Sequence, residues 1–277
     1  MYDNFCKYLI ETYPTDFATW LIGKSVTLTQ LKPTELPSES IRADSLLLQG
    51  KDVVLHVEFQ TKPDATIPRR MADYYLRIHK QFPQKRVYQV VIYLRASRSP
   101  LVKETQFQSQ GMTHQFKVVR LWEQPREVFW DVPGLLPFAI LSQAADTDAE
   151  ALLRQVKTRI EEVAEDVGMQ GNLEAATAVF AGLKLKADVI KQVMRSRAMQ
   201  ESTFYQDLVQ EVEERTLERG RQEGEQRGIK KGRIGLLRQI APLLQSFGIP
   251  LEPFLKIAGV TTEELALQDE ETEKDRF

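Results

Sequence analysis

The alternation of apolar and polar positions is clearest between Arg42 and Lys62, where two apolar runs flank a polar tetrapeptide. The first run contains Leu46-Leu47-Leu48, the tetrapeptide is Gln49-Gly50-Lys51-Asp52, and the second run extends from Val53 to Phe59. Two such runs around a short polar segment with a glycine predict a β-hairpin.

The pleat of this hairpin is expected to bring acidic side chains together at one end. Glu58 and Gln60 share one face of the second strand, and the other face carries side chains that we expect to be buried: Val53, Leu55, Val57 and Phe59. In an antiparallel pair the start of one strand lies beside the end of its partner, so Asp44 is expected near Glu58.

Two neighbouring carboxylates repel each other unless a proton or a cation joins them. Oxygen ligands of this kind suit Mg²⁺ or Mn²⁺, so Asp44 and Glu58 are candidate metal ligands. A solvated pair of carboxylates at the sheet edge is the alternative on spacing alone.

The chain after the hairpin predicts alternating helix and strand. Pro68 suits the first turn of a helix that continues to about Phe82. Val87 to Leu94 is a nearly continuous β-branched and aromatic run, typical of a strand buried on both faces in a parallel arrangement. A further strand is expected within Gln115 to Trp122. Hairpin, crossover helix and buried strand together indicate an α/β core.

Helical periodicity dominates on both sides of this core. An amphipathic helix is expected from Asp3, and a short second helix is expected to end at Gly23. Spacing is again helical from about Asp148, with Gly168 to Asn172 expected to separate two helices. The predicted division is a core domain 1–145, a helical extension 146–200, a charged helix or arm 201–235, and a terminal helix with an acidic tail 236–277.

The charged segment contains one local repeat, in which Gly220, Gly224, Gly228 and Gly232 are spaced by four. Residues four apart lie on one helix face, so these glycines would let a second backbone approach, and a homodimer through the helical C-terminal half is one expectation. Each interior glycine costs a helix about 1 kcal/mol relative to alanine, so a flexible arm is the alternative.

Composition excludes several classes of protein. Apolar residues make up 42% and charged residues 27%, and the net charge is −2, values typical of a globular domain. Cys6 is the one cysteine, which excludes an intramolecular disulfide and a cysteine-rich zinc site and suits a reducing compartment. No apolar run approaches about 18 residues, so a cytoplasmic protein without a membrane span is expected.

Positive charge is concentrated directly after the acidic hairpin. Between Lys62 and Lys103 there are ten Lys or Arg and two acids, Asp64 and Asp73, an excess of eight. Such a stretch attracts a phosphate backbone. A solvated helix face with loop lysines is the alternative.

These features resemble the PD-(D/E)XK nuclease fold, and the first 145 residues resemble the Rpn family of recombination-promoting nucleases and putative transposases. The resemblance is carried by Tyr2-Asp3-Asn4-Phe5, Arg42-Ala43-Asp44-Ser45-Leu46, His56-Val57-Glu58-Phe59-Gln60, Arg70-Met71-Ala72-Asp73-Tyr74-Tyr75 and Arg120-Leu121-Trp122-Glu123. It implies a restriction-endonuclease-like mixed sheet flanked by helices, with a helical C-terminal extension.

The resemblance also implies roles for particular residues. Asp44 and Glu58 would hold Mg²⁺ or Mn²⁺ together with the Phe59 backbone carbonyl. Gln60 stands where the family more often has lysine, so it would orient water or phosphate without supplying a charge. Lys62, if the strand continues that far, and Glu11 of the first helix are further candidates for catalytic residues.

The expected function is metal-dependent cleavage of DNA phosphodiester bonds, linked to recombination or transposition. Arg69, Arg70 and Arg77 of the crossover helix are expected to contact the DNA backbone, with Arg70 suited to a bidentate contact. The alternative is a DNA-binding module that keeps the nuclease fold without turnover, because the exchange of lysine for Gln60 removes a positive charge.

Overall fold

The computed structural model divides the chain into two compact units, Met1–Leu208 and Val209–Phe277. The structure describes residues 2–30, 45–202, 206, 221, 224–225, 228–239, 241 and 250–266. Several predictions fall outside these ranges: the Asp44 site residue, the Gly220 position, most of the charged segment and the acidic tail.

The first unit is a mixed α/β unit built on a five-stranded sheet of order β1-β2-β3-β4-β7. The strands are β1 Thr29–Gln30, β2 Ser45–Gln49, β3 Val53–Gln60, β4 Arg86–Tyr93 and β7 Lys117–Arg120. β2 pairs with both β1 and β3 antiparallel, while β3–β4 and β4–β7 are parallel. The predicted hairpin is therefore confirmed, as is the strand within Gln115 to Trp122.

One face of the sheet packs on the larger of two helical layers. It meets α1 Tyr2–Thr12, α2 Pro14–Ile22, the 3₁₀ segment Leu136–Leu141, α5 Ala145–Val163 and α6 Val167–Ala181. Leu55, Val57 and Phe59 of β3 lie in this core, as the alternation predicted. The Phe59 ring stacks on Phe138, with 6.2 Å between ring centroids. Cys6 of α1 is a free thiol and is fully buried here.

The other face is covered by the crossover helix α3 Ile67–Gln81. Pro68 lies in its first turn, as predicted. A two-stranded hairpin, β5 Gln106–Ser109 and β6 Met112–Gln115, lies beside α3. Two small clusters fill this side: Ile67, Met71, Val91, Tyr93, Val102 and Phe116 form one, and Val54, Tyr74 and Ile78 form the other. β4 is thus buried on both faces, as its sequence predicted.

Within the first unit, the helices after residue 145 pack into the same core as the sheet. α7 Ala187–Met194 and α8 Arg197–Glu201 follow α5 and α6, and α4 is the short helix Glu127–Trp130. The prediction that Gly168 to Asn172 separates two helices is wrong, because α6 begins before this segment, capped by Asp166, whose side chain accepts from Met169 N at 2.7 Å. Gly171 instead lets α8 approach: a β-carbon there would lie 2.2 Å from the Ala198 carbonyl oxygen.

The second unit is helical where it is described. Residues 228–239 form α9, followed by α10 Glu252–Ala258 and α11 Thr262–Ala266. Ile234, Leu237, Leu255 and Val260 make its small core. Thr261 Oγ1 accepts from Glu264 N and Glu264 Oε2 accepts from Thr261 N, each at 3.1 Å, which is the capping box that starts α11.

The sequence contains no apolar run long enough for a membrane span, and the described helices can be compared with that expectation. Within the residues that the structure describes, no helix has both the length and the apolar character needed to cross a bilayer.

Candidate functional site

Glu58 and Gln60 lie side by side on the α3 face of β3, near the end where the strand stops. Their shared face follows from the pleat, because Phe59 between them points into the opposite core. Gln60 Nε2 donates to Glu58 Oε1 at 3.1 Å. The Glu58 side chain has no exposed surface, so its charge requires partners inside the protein.

Arg70 supplies the positive charge that Glu58 needs. Its Nη2 donates to Glu58 Oε1 in a short, charge-assisted contact, and its Nη1 lies 3.4 Å from Asp64 Oδ2. The Arg70 side chain is 10% exposed, so the pair is buried and only weakly screened. Asp64 also accepts from the backbone N of Thr66 at 2.8 Å, which holds the loop that leads into α3.

A row of polar side chains continues from Glu58 along the same face. His56 Nε2 lies 3.8 Å from Glu58 Oε2. Gln89 Nε2 of β4 donates to His56 Nδ1 at 2.9 Å and to the Met71 carbonyl at 3.0 Å, and Gln89 Oε1 accepts from His114 Nε2 at 2.6 Å. Gln89 therefore joins the sheet, α3 and the β5–β6 hairpin.

The protonation of His56 follows from this arrangement. Burial, with a smaller effect from the Arg70 charge, lowers the pKa of His56 to about 3. Neutral His56 accepts at Nδ1 and thus carries its proton on Nε2, facing Glu58. Burial also lowers the pKa of His114, so both imidazoles act as neutral hydrogen-bonding groups at pH 7.

Asp44 lies outside the described residues. The pairing of β2 with β3 nevertheless restricts where a metal site shared with Glu58 could form. Ser45, the residue that follows Asp44, pairs with Glu58. A regular pleat continued by one residue would place the preceding side chain opposite Phe59, on the face away from Glu58. A site shared by Asp44 and Glu58 therefore requires Asp44 to leave the regular ladder.

The Phe59 carbonyl, the third expected metal ligand, faces β2 rather than β4. The Gln60 carbonyl accepts from Leu94 N at 2.9 Å, so it points toward β4. Carbonyls of consecutive residues in a strand point in opposite directions, so the Phe59 carbonyl faces β2, on the side where Ser45 begins that strand.

The donors present suit a hard cation in chemical type. Glu58 Oε2 and the Phe59 carbonyl are oxygen ligands of the kind that Mg²⁺ and Mn²⁺ prefer. Within the described ranges, which exclude Asp44, no three His, Cys, Asp or Glu side chains form a metal-binding group. Arg70 already offsets the charge of Glu58, so a bound cation would share this carboxylate with the guanidinium.

The other predicted site residues lie in different surroundings. Glu11 pairs with Lys7 at 3.7 Å and belongs to α1, whose buried residues face the opposite side of the sheet from Glu58. Lys62 is exposed and follows the end of β3 at Gln60, so the pleat does not extend to it. Arg77 pairs with Asp73 one turn away at 2.9 Å, whereas Arg69 is exposed at the start of α3.

The basic residues after the hairpin are divided between the two ends of the sheet. Lys85 donates to the Gly50 carbonyl at 2.9 Å, and Arg86 pairs with Val53 at the beginning of β3. Glu58 lies five residues farther along β3, a distance of about 16 Å. Arg70, in the first turn of α3, is the base that contacts Glu58.

Three residues of this network, Asp64, Gln89 and His114, were missed by sequence reasoning. Gln89 is a polar residue in an otherwise apolar run, which is a signal that the sequence offered. Asp64 precedes the helix by a few residues, and its contact with Arg70 depends on how the loop turns. No model of a known protein family, no curated protein and no solved structure matches this chain.

Proposed function

We propose that this chain is a divalent-metal-dependent DNA endonuclease of the PD-(D/E)XK type, similar to the Rpn nucleases. The observation that carries the proposal is the arrangement of Glu58, Gln60 and Arg70: a buried carboxylate, an amide on the same strand face and a guanidinium, beside the residue that follows Asp44. A role in recombination or transposition is part of the same proposal.

The chain's own residues have defined tasks in this mechanism. Asp44, Glu58 and the Phe59 carbonyl are the proposed ligands; Mg²⁺ held there would supply an activated water and offset the charge that develops on the scissile phosphate. Gln60 fixes Glu58 Oε1 by its amide N–H, and Arg70 holds the same oxygen from α3. Gln60 carries no proton to give at neutral pH, so the leaving oxygen takes its proton from solvent.

Cleavage of supercoiled plasmid tests the proposal. Wild type should nick plasmid with Mg²⁺ and lose this activity in EDTA. Glu58→Gln and Asp44→Asn should each lower the rate by at least about a hundredfold, in line with the loss of a group that stabilises transition-state charge. Asp52→Asn is the matched control, because Asp52 is an exposed carboxylate in the turn of the same hairpin.

The cleavage result separates this function from contamination. A nuclease carried through purification would nick equally in the Glu58→Gln preparation. Equal nicking by Glu58→Gln and wild type, or no nicking by wild type, would remove the proposal.

A second candidate is a DNA-binding module that keeps the fold without turnover. The contact between Arg70 and Glu58 favours it, because the carboxylate charge is already balanced inside the protein. This candidate predicts salt-sensitive DNA binding that persists in Asp44→Ala, with no cleavage in either protein. Cleavage by wild type would exclude it.

A further inference from the structure

A cleft of about 530 Å³ lies between the beginning of α3 and strand β5. Its lining includes Arg69 of α3, Lys103 and Glu104 before β5, and Phe107 within β5. A volume of this size is in the range of sites that bind small ligands or single nucleotides.

The walls of the cleft are fixed by packing beneath it. Ile67 and Met71 of α3 share a hydrophobic cluster with Val102 and Phe116, which flank the β5–β6 hairpin. His114 of β6 ties the hairpin to the sheet through its hydrogen bond to Gln89. Because both walls rest on one cluster, the cleft is formed before any ligand enters.

The charges in the cleft are available to a ligand. Arg69 and Lys103 are exposed, and across the described ranges no acidic side chain forms an ion pair with either of them. Arg70 and Arg77, on the same helix, are both paired with acids. Two bases against Glu104 leave the lining with a net positive charge, which suits a phosphate.

Phe107 gives the cleft its apolar surface. It is half-buried on the edge hairpin, and it is not part of the hydrophobic clusters found in the described chain. A phenyl ring beside two cations is the combination by which proteins hold unpaired nucleotides, with the ring stacked on a base and the cations on the backbone.

We propose that this cleft binds a single-stranded segment of DNA, with Arg69 and Lys103 on phosphates and Phe107 stacked on a base. The proposal rests on the proposed function in taking DNA as the ligand, and it adds that the strand is unpaired at the protein. Arg69 adjoins Arg70, the partner of Glu58, in the first turn of α3. A paired base is not free to stack on Phe107, which favours single strands over duplex.

Fluorescence anisotropy with a short labelled oligothymidylate tests the electrostatic part, using the full chain in EDTA. Between about 50 and 200 mM salt, each phosphate contact contributes about 0.7 to the slope of log K against log salt for a single strand. The double variant Arg69→Gln/Lys103→Gln should bind about thirtyfold more weakly at low salt, with its slope reduced by about 1.4.

The matched control is Lys51→Gln/Lys80→Gln, which removes the same charge from exposed positions elsewhere. Lys80 lies eleven residues along α3 from Arg69, about 16 Å away. This control should keep the wild-type slope. Equal losses of slope in the two double variants would overturn the cleft as the binding site, because the effect would then follow net charge.

Phe107 variants test the stacking part. Phe107→Tyr should bind like wild type, whereas Phe107→Leu should bind about fivefold to a hundredfold more weakly, with unchanged melting temperature. Equal affinities of the leucine and tyrosine variants would overturn the single-strand assignment, as would tighter binding of duplex than of oligothymidylate by wild type.

Binding in EDTA is measured without turnover, so the two proposals fail separately. Oligothymidylate binding without plasmid cleavage in Mg²⁺ removes the nuclease and leaves the cleft standing. Cleavage with no effect of the cleft variants on binding removes the cleft and leaves the nuclease.

Discussion

Replacing Arg70 by methionine removes the positive charge beside a carboxylate that has no exposed surface. Glu58 would keep the amide of Gln60 at 3.1 Å, but an amide does not balance a charge. Removing one partner of a buried ion pair costs about 3–5 kcal/mol. The contact of Arg70 with Asp64 adds less than about 1 kcal/mol, because Asp64 is one-third exposed.

This loss translates into a measurable fall in melting temperature. A change of 1 kcal/mol shifts melting by about 2–4 °C in a domain of 150–250 residues, and the first unit ends at Leu208. Arg70→Met is therefore expected to melt about 6–20 °C below wild type by calorimetry. Arg77→Met is the matched control on the same helix; its partner Asp73 is half-exposed, so its cost should stay below about 1 kcal/mol.

A double-mutant cycle identifies the cause of the loss. Glu58→Gln combined with Arg70→Met removes the buried charge as well as its partner, so the double variant should recover most of the stability. Arg70 Nε is buried without a hydrogen-bond partner, which is a further reason why losing the whole pair costs little. The reasoning is refuted if Arg70→Met melts like Arg77→Met, or if the double variant is as unstable as the two single losses summed.

Three further predictions concern packing and protonation. Gly171→Ala should destabilise by at least about 1–3 kcal/mol in urea unfolding, since its β-carbon would meet the Ala198 carbonyl, whereas Gly228→Ala, with no atom within 4 Å, should be neutral or stabilise by about 1 kcal/mol. Burial raises the pKa of the Cys6 thiol, so Ellman's reagent at mildly alkaline pH should label it after unfolding and not before. The pKa of His56 is lowered to about 3, so below about pH 6.5 the unfolded chain binds a proton that the folded chain does not. As the pH falls from about 6.5 toward about 3, the free energy of unfolding should therefore decrease by about 1.4 kcal/mol per pH unit. Urea unfolding of His56→Gln should show a smaller decrease over the same pH range.

The elements that could be predicted from sequence are those whose pattern is local. The alternation in β3 assigned Leu55, Val57 and Phe59 to the core and Glu58 to the other face, because a period of two follows directly from the pleat. β4 was also recognised from a local pattern: it is a continuous apolar run, which a strand covered on both faces needs.

The features that could not be predicted depend on contacts between distant segments. A glycine such as Gly171 is typical of a break between helices, but here it leaves room for the backbone of α8, which lies nearly thirty residues away. The β5–β6 hairpin is mostly polar and exposed, so it has no apolar alternation to reveal it. The contact of Arg70 with Glu58 depends on where α3 crosses the sheet, and the sequence pointed Arg70 toward phosphate instead.

The register at Ser45 connects the two candidate functions. If Asp44 continued the ladder, its carboxylate would lie on the Phe59 face, Glu58 would keep Arg70 as its counter-charge, and the site would bind DNA without cutting it. If Asp44 leaves the ladder, two carboxylates meet beside the Phe59 carbonyl, and their combined charge exceeds what one guanidinium balances. The second arrangement therefore favours capture of a divalent cation, which is why the nuclease requires both acids and the binding module requires neither.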